Sequence, residues 1–321
     1  MNSFQYVTAQ TPESAADLAS GGGVYLAGGI DILGELKEYL AQPKTLINIK
    51  SLPDTHEIKP GGQSWAIGAN VTVAQIAADE GIRKTFPGLA QAALEVGSPQ
   101  IRNVATVGGN LSQHSRCWYY RHRDVHCLKK GGATCYAREG ENKYHAIFSG
   151  NPCISPVVSN LAIAMSALDA TVILLRDKKI TRLPIAELYS AAWVNPLAHN
   201  SLNPGDLILR VELPASARLK SAYTQVSEKS DFDWALVSCA AAATVDGERL
   251  SGARVVLGAI SPVPHEVKAA NAFLEGKKLD DSVAAQAAAL VLKGATLLDH
   301  NAYKAPMATA LIRRTLLKLI G

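Results

Sequence analysis

The stretch Val24–Leu40, "VYLAGGIDILGELKEYL", decides how the chain is read. Val24–Leu26 reads as a short strand, Ala27–Gly29 as a glycine turn, and Ile30–Leu40 repeats apolar residues near the helical period. Thr45–Leu52, "TLINIKSL", reads as the next strand, so residues 1–53 are expected to form a small βαβ unit. The alternation continues in "SWAIGANVTVAQIAAD", Ser64–Asp79, as strand, turn and helix. Thr72 is placed to cap Val73–Asp79. Pro87–Val96 is a second helix, ended by Gly97-Ser98-Pro99, and Thr106–Asn110, "TVGGN", is a second glycine turn.

A Gly-Gly pair reaches positive φ, exposes successive N–H groups and has no Cβ to block close approach. Two such turns on neighbouring strands form a plausible cradle for a pyrophosphate. A helix opening at Ile30 would add a favourable dipole to the first. Either turn alone is an ordinary tight turn. Neither is the G-x-G-x-x-G dinucleotide fingerprint, and no G-x-x-x-x-G-K-[ST] occurs.

Composition narrows the class. The chain has 321 residues, 48% hydrophobic and 19% charged, with a formal net charge of +4. It has apolar residues enough for one large or two ordinary domains and is not a disordered chain. The charge is too weak to argue for nucleic acid. The longest apolar run, Leu161–Leu175, falls short of the ~18 residues of a membrane helix and is interrupted by Asp169. Met1–Ser20 lacks a basic and then apolar leader, so a soluble chain that starts in the cytoplasm is expected. A protein exported with a signal-bearing partner would read the same way.

Residues 113–153 break the pattern, being rich in Cys, His, Gly and charge with no sustained period. Cys117, Cys127, Cys135 and Cys153 lie within them, and Cys239 sits in an apolar strand as a core residue. The spacing is neither a ferredoxin run nor paired C-x2-C knuckles, so it leaves a [4Fe–4S] cluster, an all-cysteine zinc site or four packed thiols open. His114, His122 and His126 are expected to be solvated or to support ligands. Trp118, Tyr119 and Tyr120 are expected to pack around the metal. Arg116, Arg121, Arg123, Lys129, Lys130 and Arg138 would offset thiolate charge or face an acidic partner.

Regular structure resumes with a helix and strand in "SNLAIAMSALDATVILL", and residues 195–214 close the unit as loop and strand. After Pro214, three strands and then helices suggest a separate α+β domain. No nucleophile–base set, G-x-S-x-G elbow or H-E-x-x-H occurs, so no catalytic residue is assigned. Glu228, Asp231 and Asp233 read as a charged turn. Chemistry is expected to reside in cofactors.

"AGGID" after a first strand, then "IRNVATVGGNL", "SNLAIAMSALDATV", "PGDLILRVELP" and "YTQVSEKSDFDWALVSCAAA" together resemble the flavin-binding subunit of the xanthine dehydrogenase, or molybdenum hydroxylase, family. The resemblance covers nearly the whole chain. It implies an α+β protein: FAD-binding subdomains at 1–53 and 54–214, and a C-terminal flavoprotein domain at 215–321 with a three-stranded antiparallel sheet and helices. It implies FAD contacts at Ala27, Gly28, Gly29, Ile30 and Asp31, at Thr106, Gly108, Gly109 and Asn110, and at Ser159 and Asn160. Asn160 replaces the family's usual Asp, and Gln225 stands where relatives often carry a flavin-proximal Lys. The insertion resembles that of the branch with the flavin subunits of 4-hydroxybenzoyl-CoA reductase and periplasmic aldehyde oxidoreductase. In that branch the four cysteines bind a [4Fe–4S] cluster. The implied partners are a molybdenum-cofactor large subunit and a [2Fe–2S] small subunit, as a heterotrimer or its dimer, with NAD, ferredoxin or a quinone as external carrier. A self-sufficient flavin oxidoreductase with a structural four-cysteine zinc loop is the alternative.

Overall fold

A computed structural model of the chain describes residues 1–229 and 232–321. Its architecture is the mixed α+β one expected, built on three sheets. The first sheet joins Gln5–Thr8, Thr45–Asn48 and Val24–Leu26 in that spatial order, all parallel. Parallel neighbours need crossovers, supplied by the helices Pro12–Ser20 and Ile32–Lys37. The sequence reading had only the second half of this unit. The missed helix is short, buries only Ala15, Ala16 and Ala19, and is started by a Thr11–Ser14 capping box with Pro12 at its first position. The second helix begins at Ile32, not Ile30, and has only six residues.

The second sheet orders Ile58–Lys59, Ser64–Gly68, Leu207–Pro214, Thr171–Arg176 and Lys179–Pro184, every pair antiparallel. The helix Val73–Ala78 carries the Thr72 cap, closed into a box by Gln75. The helix Asn160–Ala167 is buried along its whole length, which accounts for an apolar run with no polar face. A turn with Asp169 at φ 56 separates it from the next strand. Among the described residues no helix is long and apolar enough to cross a membrane.

The third sheet is antiparallel in the order His265–Glu266, Arg249–Gly258, Val237–Asp246, Leu219–Val226. It therefore has a fourth, two-residue edge strand beyond the three expected. Ala240 and Ala242 face the core of the second unit, while Cys239, Ala241 and Ala243 face a core shared with helices Lys268–Leu274, Asp281–Val291 and Lys304–Leu317. A strand buried on both faces reads as a continuous apolar run, and Cys239 is core as expected.

Residues 113–153 hold only two single turns, Trp118–Arg121 and Leu128–Lys130. Their last third is built into the C-terminal unit. Ile147 N and Phe148 N both donate to Ile260 O, Thr296 N donates to Ile147 O, and both side chains enter that unit's core.

Gly88 reports on the contact between units. A Cβ there would stand 2.9 Å from Ala222 N and 3.0 Å from Ala222 C, both backbone. Gly88→Ala should therefore cost about 1–3 kcal/mol by overpacking. Gly62→Ala, whose Cβ would meet nothing within 4 Å, should leave stability unchanged. Urea unfolding midpoints of the two variants test this, and equal midpoints would show that the helix–sheet contact is looser than drawn.

Candidate functional site

The three units meet around a cavity of about 600 Å3. Ala27, Gly28, Gly29, Ile30 and Asp31 line it from one side, and Thr106, Gly108, Gly109 and Asn110 from another. Asn160 lines it as well, with Phe232, Asp233 and Trp234 of the C-terminal unit and residues 200–208.

The two glycine turns do different work. Only Gly29 takes positive φ, at 77°. A Cβ on Gly28 would lie 1.9 Å from Val104 O, so its glycine is required because the segment before the second turn crosses over it. Among the described residues the Gly28, Gly29, Ile30 and Asp31 N–H groups meet no acceptor of the chain, leaving them for an anion. The second turn is not the open loop expected. It is the short helix Val107–Leu111, capped by Thr106. Its N–H groups are all used: Val107 on Val71 O, Gly108 on Ala69 O, Gly109 on Thr106 Oγ1 and Asn110 on Thr106 O. What this turn offers the cavity is side chains and close approach.

Ser159 and Gln225 do not line the cavity. Ser159 donates to Asn110 Oδ1 at 2.6 Å while capping Ala162 N. It thereby orients Asn110, whose Nδ2 meets no acceptor among the described residues. Gln225 sits in an amide network behind the wall. It accepts from Asn160 Nδ2 at 3.1 Å and Tyr223 OH at 2.9 Å, and donates to Glu95 Oε2 at 3.1 Å.

Asp31 also serves the insertion. It accepts from His114 N at 2.6 Å and pairs with Arg121 and with Arg116 at 3.1 Å. One turn on, Glu35, 3% exposed, accepts from Tyr120 OH at 3.0 Å and lies 2.9 Å from His114 Nδ1. Burial raises the Asp31 pKa, but Arg116, Arg121 and the His114 N–H outweigh it and hold the carboxyl below its ordinary value. The Arg116 guanidinium also lies 5.0 Å over the Trp234 ring, linking this wall to the C-terminal unit. Two acidic residues four apart on one short helix were a visible signal for basic partners. Glu228 of the charged turn pairs with Lys143 and accepts from Tyr144 OH at 2.7 Å; Asp231 lies outside the described residues.

Cys117, Cys127, Cys135 and Cys153 line one small hollow with Tyr119, Tyr120, Lys129 and His145. None is in a disulfide. Burial pushes the Cys117 thiol up to about 11. Cys135 and Cys153 share a hydrogen bond, which lowers Cys135 and raises Cys153. Lys129 is buried, donates to Ala198 O at 2.8 Å and feels all four sulfurs. The histidine that touches sulfur is His145, with Nε2 3.1 Å from Cys117 Sγ, and not His114, which stacks on His199 at 4.1 Å. Among the described residues no group of three or more His, Cys, Asp or Glu is arranged to hold a metal ion.

Cavity and hollow share one wall. Gln113, His114 and Arg116 line the cavity, while Ser115 and Cys117 line the hollow.

Residues 2–216 match the family described as FAD binding domain in molybdopterin dehydrogenase, and residues 221–319 match CO dehydrogenase flavoprotein C-terminal domain. The chain belongs to the FAD-binding medium subunits of the molybdenum hydroxylase and CO dehydrogenase family. The aldehyde oxidoreductase FAD-binding subunit PaoB of Escherichia coli (strain K12) is 35% identical over 280 residues, 85% of this chain and 86% of that one. The 6-hydroxypseudooxynicotine dehydrogenase complex subunit alpha of Paenarthrobacter nicotinovorans is 26% identical over 326 residues, 99% and 95% of the two chains. A CO dehydrogenase structure from Oligotropha carboxidovorans superposes with TM-score 0.78 at 21% identity, over 99% of this chain and 98% of that one. At that identity the likeness speaks for the fold. As an FAD-binding subunit of molybdenum-dependent dehydrogenase complexes, the chain has no need of a catalytic nucleophile of its own.

Two outcomes are expected for this flavoprotein subunit. In Gly28→Ala the new Cβ forces two backbones apart, which should cost about 1–3 kcal/mol of folding stability, read from the urea midpoint, and should weaken FAD binding by displacing the turn's N–H groups, read by flavin fluorescence. In the folded chain Asp31 is held below the ordinary carboxyl value of 3.8. Its contribution is therefore complete above that value and lost as pH falls through the lower, folded one. Asp31→Asn should lower stability near neutral pH and remove part of the acid-induced loss, read from denaturant midpoints at pH 3 and pH 7. A wild-type-like difference between the two would show that the pairing carries nothing.

Proposed function

We propose that this chain is an electron-transfer subunit carrying FAD in the large cavity and a [4Fe–4S] cluster on Cys117, Cys127, Cys135 and Cys153. It works beside a molybdenum-cofactor large subunit and a [2Fe–2S] small subunit and exchanges electrons with an external carrier such as NAD, ferredoxin or a quinone. The observation that carries this reading is the shared wall: along His114–Cys117 the residues alternate between the large cavity and the cysteine hollow, so one backbone segment lies between the two pockets there.

The residues fit both groups. For FAD, the free N–H groups from Gly28 to Asp31 would hold phosphate oxygens, and Asn110 and Asn160 would present amides. For the cluster, four thiols from separate points of the loop converge on a hollow otherwise lined largely by Tyr119, Tyr120, Tyr136, Ala137 and Leu128. Lys129 lies buried beside the sulfurs, and Cys127 and Cys153 are themselves buried. When bound, the two groups supply one- and two-electron redox chemistry. The chain supplies position, charge and exclusion of solvent.

A self-sufficient flavin oxidoreductase with a structural four-cysteine zinc loop would use the same four thiols.

Anaerobic isolation from the native source decides between them. About four iron and four acid-labile sulfide per chain are expected beside one flavin, with the partner subunits co-purifying. Cys135→Ser with Cys153→Ser should remove the iron and leave the flavin bound. One zinc without sulfide, or iron retained in the double variant, would overturn the proposal.

A further inference from the structure

We propose that His145 sets the reduction potential of the four-cysteine centre by donating its Nε2–H to the Cys117 sulfur. This rests on the cluster reading above. His145 is not a ligand and acts through Cys117, in a hollow where the other tuning group, Lys129, supplies a full charge.

The geometry fixes the direction of the bond. The ring is 2% exposed, with Nε2 3.1 Å from Cys117 Sγ. Its Nδ1 is buried and, among the described residues, has no hydrogen-bond partner. A neutral imidazole carries one proton on one nitrogen. Placed on Nδ1, that proton would be a buried N–H with no acceptor, the more costly arrangement. Placed on Nε2, it points at sulfur. A free thiol at Cys117 can act as donor or acceptor, but a thiolate bound to iron has no proton and only accepts. The Nε2–H tautomer is then the one that satisfies both partners.

The ring is held rather than merely adjacent. His145 N donates to Asn142 O at 2.8 Å, and Ala146 N donates to Ile154 O at 2.9 Å, one residue beyond Cys153. Asn301 Nδ2 donates to Ala146 O at 3.2 Å from the C-terminal unit. The rings of Trp118 and Tyr119 stand 6.0 and 6.3 Å away. What it offers is an oriented dipole. One-electron reduction adds negative charge that spreads onto the sulfurs, and an N–H already aimed at one of them stabilises the reduced form more than the oxidised form. The electron arrives from the adjacent carrier, no bond is made or broken, and the proton stays on Nε2.

The test uses the whole complex, isolated anaerobically, with His145→Phe and His145→Gln. Iron and sulfide are measured first. Wild type without iron would sink the cluster reading itself, before His145 is at issue. With iron present, His145→Phe should keep the cluster but lower the reduced-to-oxidised ratio at a fixed ambient potential about tenfold, which is about 59 mV for a one-electron couple. His145→Gln, which keeps an N–H donor, should recover part of it. The exchangeable-proton coupling seen by electron–nuclear double resonance in the reduced wild type should vanish in the Phe variant. An unchanged ratio in His145→Phe with iron retained would overturn the proposal. Loss of iron in both variants would also overturn it, because the ring would then be needed for assembly rather than for tuning.

Discussion

Two carboxylates one turn apart, Asp31 and Glu35, are the constraint on which the rest of the site depends. Like charges at this spacing repel, and Glu35 is almost fully buried. A buried carboxylate without partners costs several kcal/mol. Here the partners come from the cysteine segment: Arg116, Arg121, the His114 backbone and ring, and the Tyr120 hydroxyl. The seated insertion therefore braces the end of the first glycine turn. The insertion, with almost no secondary structure of its own, has its first residues ordered by the same bonds. Cavity wall and cysteine loop therefore fold as one object.

The far end of the insertion obeys a second constraint. Ile147 and Phe148 are core residues of the C-terminal unit, so the loop spans from the first glycine turn to the third sheet. Its charge is one-sided. Residues 113–153 carry seven Arg and Lys against three Asp and Glu, and the rest of the chain is balanced. The whole excess positive charge of the protein is thus concentrated where four sulfurs converge. Arg116 extends the bridge across the cavity mouth, with Asp31 on one side of its guanidinium and Trp234 on the other.

Much of this was legible in the sequence because the signals were local. The Thr72 cap, the strand–helix order, and the all-apolar strand around Cys239 each follow from residues within one element. The first strand and helix were not legible, since "QYVT" has no buried residue to mark an inward face and an alanine-faced helix has little apolar bulk to mark a period. The second glycine turn misled because Gly-Gly fits an open loop and a capped helical turn equally well. Only Val71 and Ala69, far back in sequence, reveal that its N–H groups are spent. Ser159 and Gln225 fell in the right neighbourhood but act through Asn110 and Asn160. His145 was hidden among eight histidines, since what distinguishes it is a contact made 28 residues away.

The bonds along residues 114–117 show why the two pockets keep a fixed relation. His114 N is held by Asp31, Ser115 N by His199 Nδ1 at 3.1 Å, and Cys117 N by Ser115 Oγ at 3.1 Å. The Ser115 and Ser155 hydroxyls bond to each other, tying the segment to the strand of chain after Cys153. This side of the cavity is therefore covalent backbone pinned by hydrogen bonds at His114, Ser115 and Cys117. The opposite side of the cavity is built differently. Phe232 and Trp234 are 67% and 49% exposed and reach it from another unit. Under the proposed function, the wall between the two carriers is one hydrogen-bonded segment, and the exposed rings on the opposite side mark where an external carrier would approach.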